Sequence, residues 1–432
     1  MNFAIEGGKT LSGSISINSS KNSAVGLLCA ALLNTSATTL LNMPKIEEVY
    51  RIIEVLESIG VSATWKGSTL IITPPKHLKL KNLNEESATK TRSIVMFMGP
   101  LIHLFPSFKI PQTGGCKLGS RTVQPHLFAL EKLGVRIATK ADHYDVSAKK
   151  LKPSEIVLYE SGDTVTENVL MAASKIHGKT VVKLASANYM VQDLCRFLEL
   201  FGVKIEGIGS TTLTIHGVKE MNKPVSFALS EDPIEAMLFL SIAATTRSHI
   251  TIKRCPIDFL ELELLKLEKM GFKYKATKRY KSANGHTDLV DIETFPSNLK
   301  ALDEKIYGRP FPGLNIDNLP FFVPVAAAAK GQTLIHDWVY ENRALYYLEL
   351  SKLGVNLLLA DPHRVFVTGP TNFKSAEVIC PPALRPAAII LIAMLAAPGK
   401  SLLRNVYSIN RGYEDLSTRL RQLGARIDIV QD

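Results

Sequence analysis

Residues Ile52–Thr73 read IIEVLESIGVSATWKGSTLIIT. A helical apolar pattern runs to Ile59, Gly60 follows, and then come a strand, a turn and a second strand. Glycine just past a helix is the expected C-cap, because it takes a left-handed conformation at no steric cost. The same succession returns in Leu127–Ser147 (LFALEKLGVRIATKADHYDVS), Leu194–His216 and Leu345–Thr368. The capping glycines are Gly60, Gly134, Gly202, Gly271, Gly354 and Gly424, at spacings of 74, 68, 69, 83 and 70. The long interval before Gly354 predicts an insertion or long loop around Tyr280–Phe311. Self-similarity at a fixed period is a strong fold signal. Three such units can close around a shared helical core, so six predict two similar α/β domains.

The chain ends sharpen this. The sixth unit stops after one strand, Ala425–Val430, while the N-terminus carries spare strands at Asn2–Glu6 and Leu11–Asn18. The N-terminal strands are therefore expected to complete the last unit. Domain one is then residues 21–230, and domain two is 1–20 with 231–432. The chain would cross twice between them, near Ser20-Lys21 and Ser230-Glu231, as a two-segment hinge.

Composition excludes several classes. With 46% hydrophobic and 21% charged residues, the 432-residue chain has the profile of an ordinary soluble protein. The start, MNFAIEGG, is not a secretory signal. The longest apolar stretch, Pro386–Pro398, is too short to span a bilayer. Five dispersed cysteines without a CxxC pair argue against a disulfide framework or zinc site and for a cytoplasmic setting. No metal or cofactor fingerprint is present. The net charge of +11 suits polyanions. Yet no run of five basic residues and no aromatic RNA-binding signature occurs, so nucleic acid is not the expected partner.

One loop stands out: Thr113-Gly114-Gly115-Cys116-Lys117-Leu118-Gly119-Ser120-Arg121. Glycines free the backbone of bulk, and the flanking cations favour a thiolate or an anionic ligand beside the sulfur. A reactive cysteine and an inert residue in a glycine-rich turn both fit this spacing.

Further motifs are SSKNSA (Ser19–Ala24), TKTRS (Thr89–Ser93), GGCKLGSR with His126 after it, and TVTEN (Thr164–Asn168). EDPIE (Glu231–Glu235), ENR (Glu341–Arg343), ALRPA (Ala383–Ala387) and INRGYED (Ile409–Asp415) follow. In this order, on a six-unit repeat, they resemble the enolpyruvyl transferases over essentially the whole chain. That family has two inside-out α/β barrel domains of three units each, with a cleft between them. The cysteine loop favours its nucleotide-sugar branch over the shikimate-pathway branch. The resemblance implies transfer of the enolpyruvyl group from phosphoenolpyruvate to the 3-hydroxyl of UDP-N-acetylglucosamine, with release of phosphate. This reaction starts peptidoglycan synthesis, needs no cofactor, and belongs to a monomer sensitive to fosfomycin.

By the same resemblance Cys116 donates a proton to phosphoenolpyruvate and Asp317 takes one from the hydroxyl. For Asp317, an Asx-turn is the competing account. Lys21, Asn22, Arg121, Arg385 and Arg411 match the phosphoenolpyruvate grip, where a planar guanidinium suits phosphate or carboxylate. Asn22, Arg92, Arg121, Thr122, Val123, Gln124, His126, Gly162, Asp163, Thr164, Asp317, Val339 and Arg343 match the nucleotide-sugar contacts. His126 equally fits a satisfied, partly buried histidine. Asp232 and Glu235 match acidic family positions, and capping of the following helix accounts as well for Asp232.

Some positions depart from the family. Gln124 stands at an aspartate that meets uracil, and Glu160 where a basic residue is common. Ala187 and Tyr189 replace acidic residues, and Ala383 replaces the aspartate before the Leu-Arg pair. Two alternatives stay open: an enolpyruvyl transferase with another acceptor, and a non-catalytic nucleotide-sugar-binding relative.

Overall fold

The computed structural model describes residues 1–112 and 122–431. Two compact units divide it. One gathers Met1–Asn18 with the chain from Glu231 onward; the other spans the described residues between Ser19 and Ser230.

All six repeat glycines adopt the left-handed conformation, with φ of 99° at Gly60, 92° at Gly134, 87° at Gly202, 88° at Gly271, 84° at Gly354 and 90° at Gly424. Each cap delivers the chain into one of six sheets. The sheets share a plan: two antiparallel hairpin strands, an antiparallel neighbour, and a parallel strand on its far side. In domain one Ser62–Lys66 and Thr69–Thr73 form the hairpin, Thr38–Leu41 the neighbour and Val225–Ala228 the parallel edge. The sheet of Arg136–Thr139, His143–Ser147 and Ser107–Pro111 has three strands and no parallel edge among the described residues.

The N-terminal strands part company, which corrects one expectation. Asn2–Gly7 lies between Gly399–Arg404 and Arg426–Val430, in the returning-strand place that the sixth unit lacks. Ser12–Ser16 instead runs parallel to His249–Pro256 in the fourth sheet. The expected insertion at Tyr280–Phe311 carries three strands between its loops. Asp288–Phe295 is the returning strand of the fourth hairpin, and Ile306–Tyr307 is the parallel edge of the fifth sheet. The fifth unit's helix, Ala344–Leu353, is 3-10. Its buried residues Ala344, Tyr347, Leu350 and Leu353 recur every third position, the period of that helix and not of the α form.

Helices without a polar face sit inside. Pro233–Thr246 is buried along its whole length, and Leu384–Ala396 from Arg385 to Leu395. A helix apolar all round must be enclosed by protein. The strands form the outer layer, as the alternating exposure of Asn356–Asp361 shows. The closeness of the layers is set at Gly7: a Cβ there would lie 2.0 Å from Met394 O and 2.5 Å from Ala397 O. Both are backbone atoms at the end of the Leu384–Ala396 helix and cannot rotate away. Gly7→Ala is expected to lower stability by at least the roughly 1–3 kcal/mol of an overpacked core. Urea unfolding measures it, and an unchanged midpoint would show that the layers yield.

At the chain crossings, Ser20 N donates to Ser230 O at 2.8 Å in domain one, and Asp232 N to Asn18 O at 2.8 Å in domain two. Buried Asp193 holds Ser230 through its backbone N (3.1 Å) and Oγ (2.5 Å).

Candidate functional site

In domain one, Ser20 caps the helix Lys21–Ala30, its side chain accepting from Ser23 N at 3.2 Å. Lys21 and Asn22 thus occupy a helix N-terminus, whose unpaired N–H groups and dipole favour anions. Lys21 Nζ stands 3.8 Å from Glu48 Oε2, and Glu48 Oε1 accepts from Thr91 Oγ1 at 2.6 Å. Asn22 Nδ2 donates to Tyr189 Oη at 3.2 Å, and Tyr189 is only 1% exposed. The residue that departs from the family at position 189 is therefore an interior prop for Asn22.

The helix Gln124–Lys132 starts from Val123 and is joined to the helix Asp163–Ala173 through His126. Asn168 Nδ2 lies 3.1 Å from His126 Nδ1, and Thr164 Oγ1 lies 3.4 Å from Nε2. With the amide donating to Nδ1, the proton is assigned to Nε2. Burial first, and then Arg92, pulls this imidazole down to about 3, so it is neutral. His126, expected at the nucleotide sugar, is buried and hydrogen-bonded to protein groups, a placement its competing account also expects. Its part is to align Thr164 and the two helices. Arg92 Nη2 donates to Thr122 O at 2.8 Å, and Gln124 N donates to Thr122 Oγ1 at 3.0 Å.

Gly162 caps the helix Asp163–Ala173 without a side chain. Asp163 is engaged by Ser186 Oγ at 2.5 Å and Asn188 Nδ2 at 3.4 Å. The exposed Glu160 folds back over this helix start: a Cβ on Gly162 would lie 3.1 Å from its Oε1. A carboxylate is favoured at such an end, and it competes there with any other anion.

In domain two, Asp317 N donates to Asn315 Oδ1 at 2.9 Å, so an Asx-turn is present but is closed by the Asn315 side chain and not by that of Asp317. Glu263 steadies that turn, its Oε1 accepting from Asn315 N (3.1 Å) and Asn318 Nδ2 (2.8 Å). The turn presents the Asp317 carboxylate to two arginines. Arg385 Nη2 is 3.4 Å from Oδ2, and Arg343 Nη1 is 3.5 Å from Oδ1. Arg385 lies within the first turn of the helix Leu384–Ala396, and its Nη1 donates to Tyr413 Oη at 2.7 Å. Ala383 begins that helix with no side-chain cap.

Arg343, expected among the nucleotide-sugar contacts, is 1% exposed and faces protein groups. Val339 is exposed nearby in the chain. Arg411 is half-buried just after the helix Tyr407–Asn410. Asp232 caps the helix Pro233–Thr246, accepting from Ile234 N (2.8 Å) and Glu235 N (3.3 Å). Burial raises its carboxyl to about 6 against the opposing pull of Arg385. Glu235 accepts from Asn18 N at 2.7 Å and pairs with Arg419, a structural bridge.

Cys116 and Arg121 lie outside the described residues. The other four cysteines are free and buried. Burial raises each of their thiols, that of Cys380 to about 12, which makes them poor acids and nucleophiles at neutral pH. Among the described residues, no group of three or more His, Cys, Asp or Glu is placed to hold a metal, and no helix is long and apolar enough to cross a membrane. Sequence reasoning missed Asp337, Tyr347 and Glu48 and gave no role to Tyr413, although it lies inside the INRGYED motif; each stands beside a recognised cation or its partner.

Comparison with known proteins agrees with this architecture. The model of EPSP synthase (3-phosphoshikimate 1-carboxyvinyltransferase) matches residues 5–428. UDP-N-acetylglucosamine 1-carboxyvinyltransferase of Bradyrhizobium diazoefficiens is 31% identical over 100% of this chain and 98% of its own. That of Treponema denticola is 33% identical over 99% of each. Among solved structures, the enolpyruvyl transferase NikO from Streptomyces tendae superposes with a TM-score of 0.85 at 24% identity, covering 99% of this chain and 98% of its own. EPSP synthase from Acinetobacter baumannii superposes with a TM-score of 0.76 at 18% identity over the whole of both chains. A six-unit, two-domain α/β chain matched from end to end in this way belongs to the enolpyruvyl (carboxyvinyl) transferase family.

Proposed function

We propose that this chain is a cytoplasmic, monomeric enzyme that moves the enolpyruvyl group of phosphoenolpyruvate onto the 3-hydroxyl of UDP-N-acetylglucosamine, at the start of peptidoglycan precursor synthesis. The observation that carries this reading is the end-to-end match, above 30% identity, to relatives bearing that name. The site geometry supports it. Asp317 sits as a base between two arginines, and Lys21 and Asn22 sit at a helix N-terminus.

In this reading Cys116 delivers a proton to the methylene carbon of phosphoenolpyruvate. The sugar oxygen bonds to the adjacent carbon as Asp317 accepts the hydroxyl proton. Loss of a proton from the new methyl group and departure of phosphate restore the double bond. Lys21, Arg121, Arg385 and Arg411 balance the phosphate and carboxylate charge. Arg92, Thr122, Val123, Gln124, Gly162, Asp163, Thr164 and Val339 contact the nucleotide sugar, with His126 and Arg343 acting from behind.

The deciding measurement is phosphate release from phosphoenolpyruvate with UDP-N-acetylglucosamine, beside other UDP-sugars, free nucleotides and shikimate 3-phosphate. Turnover selective for UDP-N-acetylglucosamine is expected, and none with well-folded protein would overturn the reading. Glu160, drawn over the helix start at Gly162, favours a second reading in which the acceptor differs. Faster turnover with another member of the panel would establish it.

A further inference from the structure

Asp317 is gripped in an unequal way. Among the described residues two arginines reach it, Arg343 Nη1 at 3.5 Å and Arg385 Nη2 at 3.4 Å, and these contacts exceed the ~2.8 Å of a charge-assisted hydrogen bond. They orient the carboxylate and favour its charge without locking its lone pairs in short bonds. The arginines themselves are held much more tightly. Arg343 Nε donates to Asp337 Oδ2 at 2.6 Å, and its Nη2 to Asp337 Oδ1 at 2.8 Å and Ile316 O at 2.7 Å. Asp337, 0% exposed, also accepts from Tyr347 Oη at 2.6 Å. The Tyr340 ring lies 4.3 Å from the guanidinium.

A bidentate fork fixes the plane of a guanidinium as well as its place. Asp337 uses Nε and Nη2, and this leaves Nη1 aimed at Asp317. A fully buried ion pair is a poor device for stability alone, since apolar residues of similar volume often serve as well. A pair whose remaining nitrogen faces a half-buried carboxylate has a further use.

We propose that Arg343, fixed from behind by Asp337 and Tyr347, is a positioning residue that aims the Asp317 carboxylate and keeps it ionised for proton abstraction. The inference rests on the reading of Asp317 as the base. Among the described residues, Arg343 and Arg385 stand beside that carboxylate, and Asp232 acts on Arg385. Glu263 is hydrogen-bonded to the flanking Asn315 and Asn318.

The test measures kcat, KM for both substrates, and the pH profile of kcat for the full chain and for Arg343→Lys, Arg343→Met, Tyr347→Phe and Asp317→Asn, with thermal melts alongside. Arg343→Lys keeps the charge but cannot form the fork. It is expected to lose about 10–100-fold in kcat, the usual consequence of a slightly misplaced reacting group, with both KM values little changed. Arg343→Met removes a cation, which eases protonation of Asp317, so the acid limb of its profile moves to higher pH. Tyr347→Phe removes only the hydroxyl behind Asp337. It is expected to lower kcat several-fold on the same readouts, and it decides the matter if the Arg343 variants do not fold.

Folded Arg343→Lys and Tyr347→Phe proteins with unaltered kcat and pH profile overturn the inference. So does a loss confined to KM for UDP-N-acetylglucosamine, which would make Arg343 a ligand contact. Asp317→Asn separates the layers: full activity in that variant removes the base itself, whereas its inactivity beside intact Arg343 variants removes only the positioning role.

Discussion

Cys116→Ser is expected to reduce turnover by about 10²–10⁴-fold, the usual contribution of a general acid. A thiol with an ordinary pKa near 8.5 exchanges protons readily close to neutrality, and a serine hydroxyl does not. The size is near isosteric, so substrate affinity and melting temperature should hold while kcat falls. The contrast among the five cysteines sharpens the expectation. Cys29, Cys195, Cys255 and Cys380 are buried, with thiols raised by that burial. Alkylation by fosfomycin should therefore label one cysteine, seen by peptide mass mapping as a single adduct on the segment that contains Cys116. Wild-type turnover in folded Cys116→Ser, or an adduct on one of the four buried thiols, would displace Cys116 from its proposed role.

The repeat was legible because its marker is local. A glycine in the left-handed conformation after each helix is a requirement of the backbone, and all six stand at the positions read from the chain. Strand pairing was only partly legible, because it depends on distant partners. Ser12–Ser16 alternates as well as Asn2–Gly7 does, and nothing in either stretch tells which sheet receives it. The 3-10 form of Ala344–Leu353 was not legible, because Leu345, Tyr346 and Leu348 are as apolar as Tyr347, Leu350 and Leu353, and only the folded chain shows that burial recurs every third position. At the site, the family motifs pointed to the groups that carry charge. They were silent about what stands behind them. Asp337 precedes Arg343 by six residues in an unremarkable strand-end sequence, and Tyr413, though inside INRGYED, lies 28 residues from the arginine it meets. Tyr189 was read as a lost acid, whereas it is a buried hydroxyl that holds Asn22. His126 and Arg343, expected at the nucleotide sugar, are buried and held by protein groups as well, which their residue types alone did not signal.

Asp317→Asn is expected to lower kcat by a similar factor, about 10²–10⁴-fold, because an amide cannot accept the hydroxyl proton. The substitution also alters the local charge. Arg343 and Arg385 would face a neutral group in place of a carboxylate; Arg343 keeps Asp337, and Arg385 keeps Tyr413 and the neighbouring Asp232. Asp232 lies at about 6 because burial raises it more than Arg385 lowers it. This is a carboxyl whose folded pKa is raised above its unfolded value. The unfolded chain therefore releases this proton more readily, and Asp232 makes the fold less stable as pH rises through that range. With Asp317 neutral, Arg385 is shared by fewer anions and acts more strongly on Asp232, whose pKa should fall. The loss of stability between pH 5 and pH 7 should then be smaller in Asp317→Asn than in the wild type. Urea midpoints across that range read this directly, independently of catalysis. An inactive variant with an unchanged stability profile would mean that Asp317 serves the reaction but does not share Arg385 with Asp232. An active variant would mean that the proton leaves the sugar hydroxyl by another route.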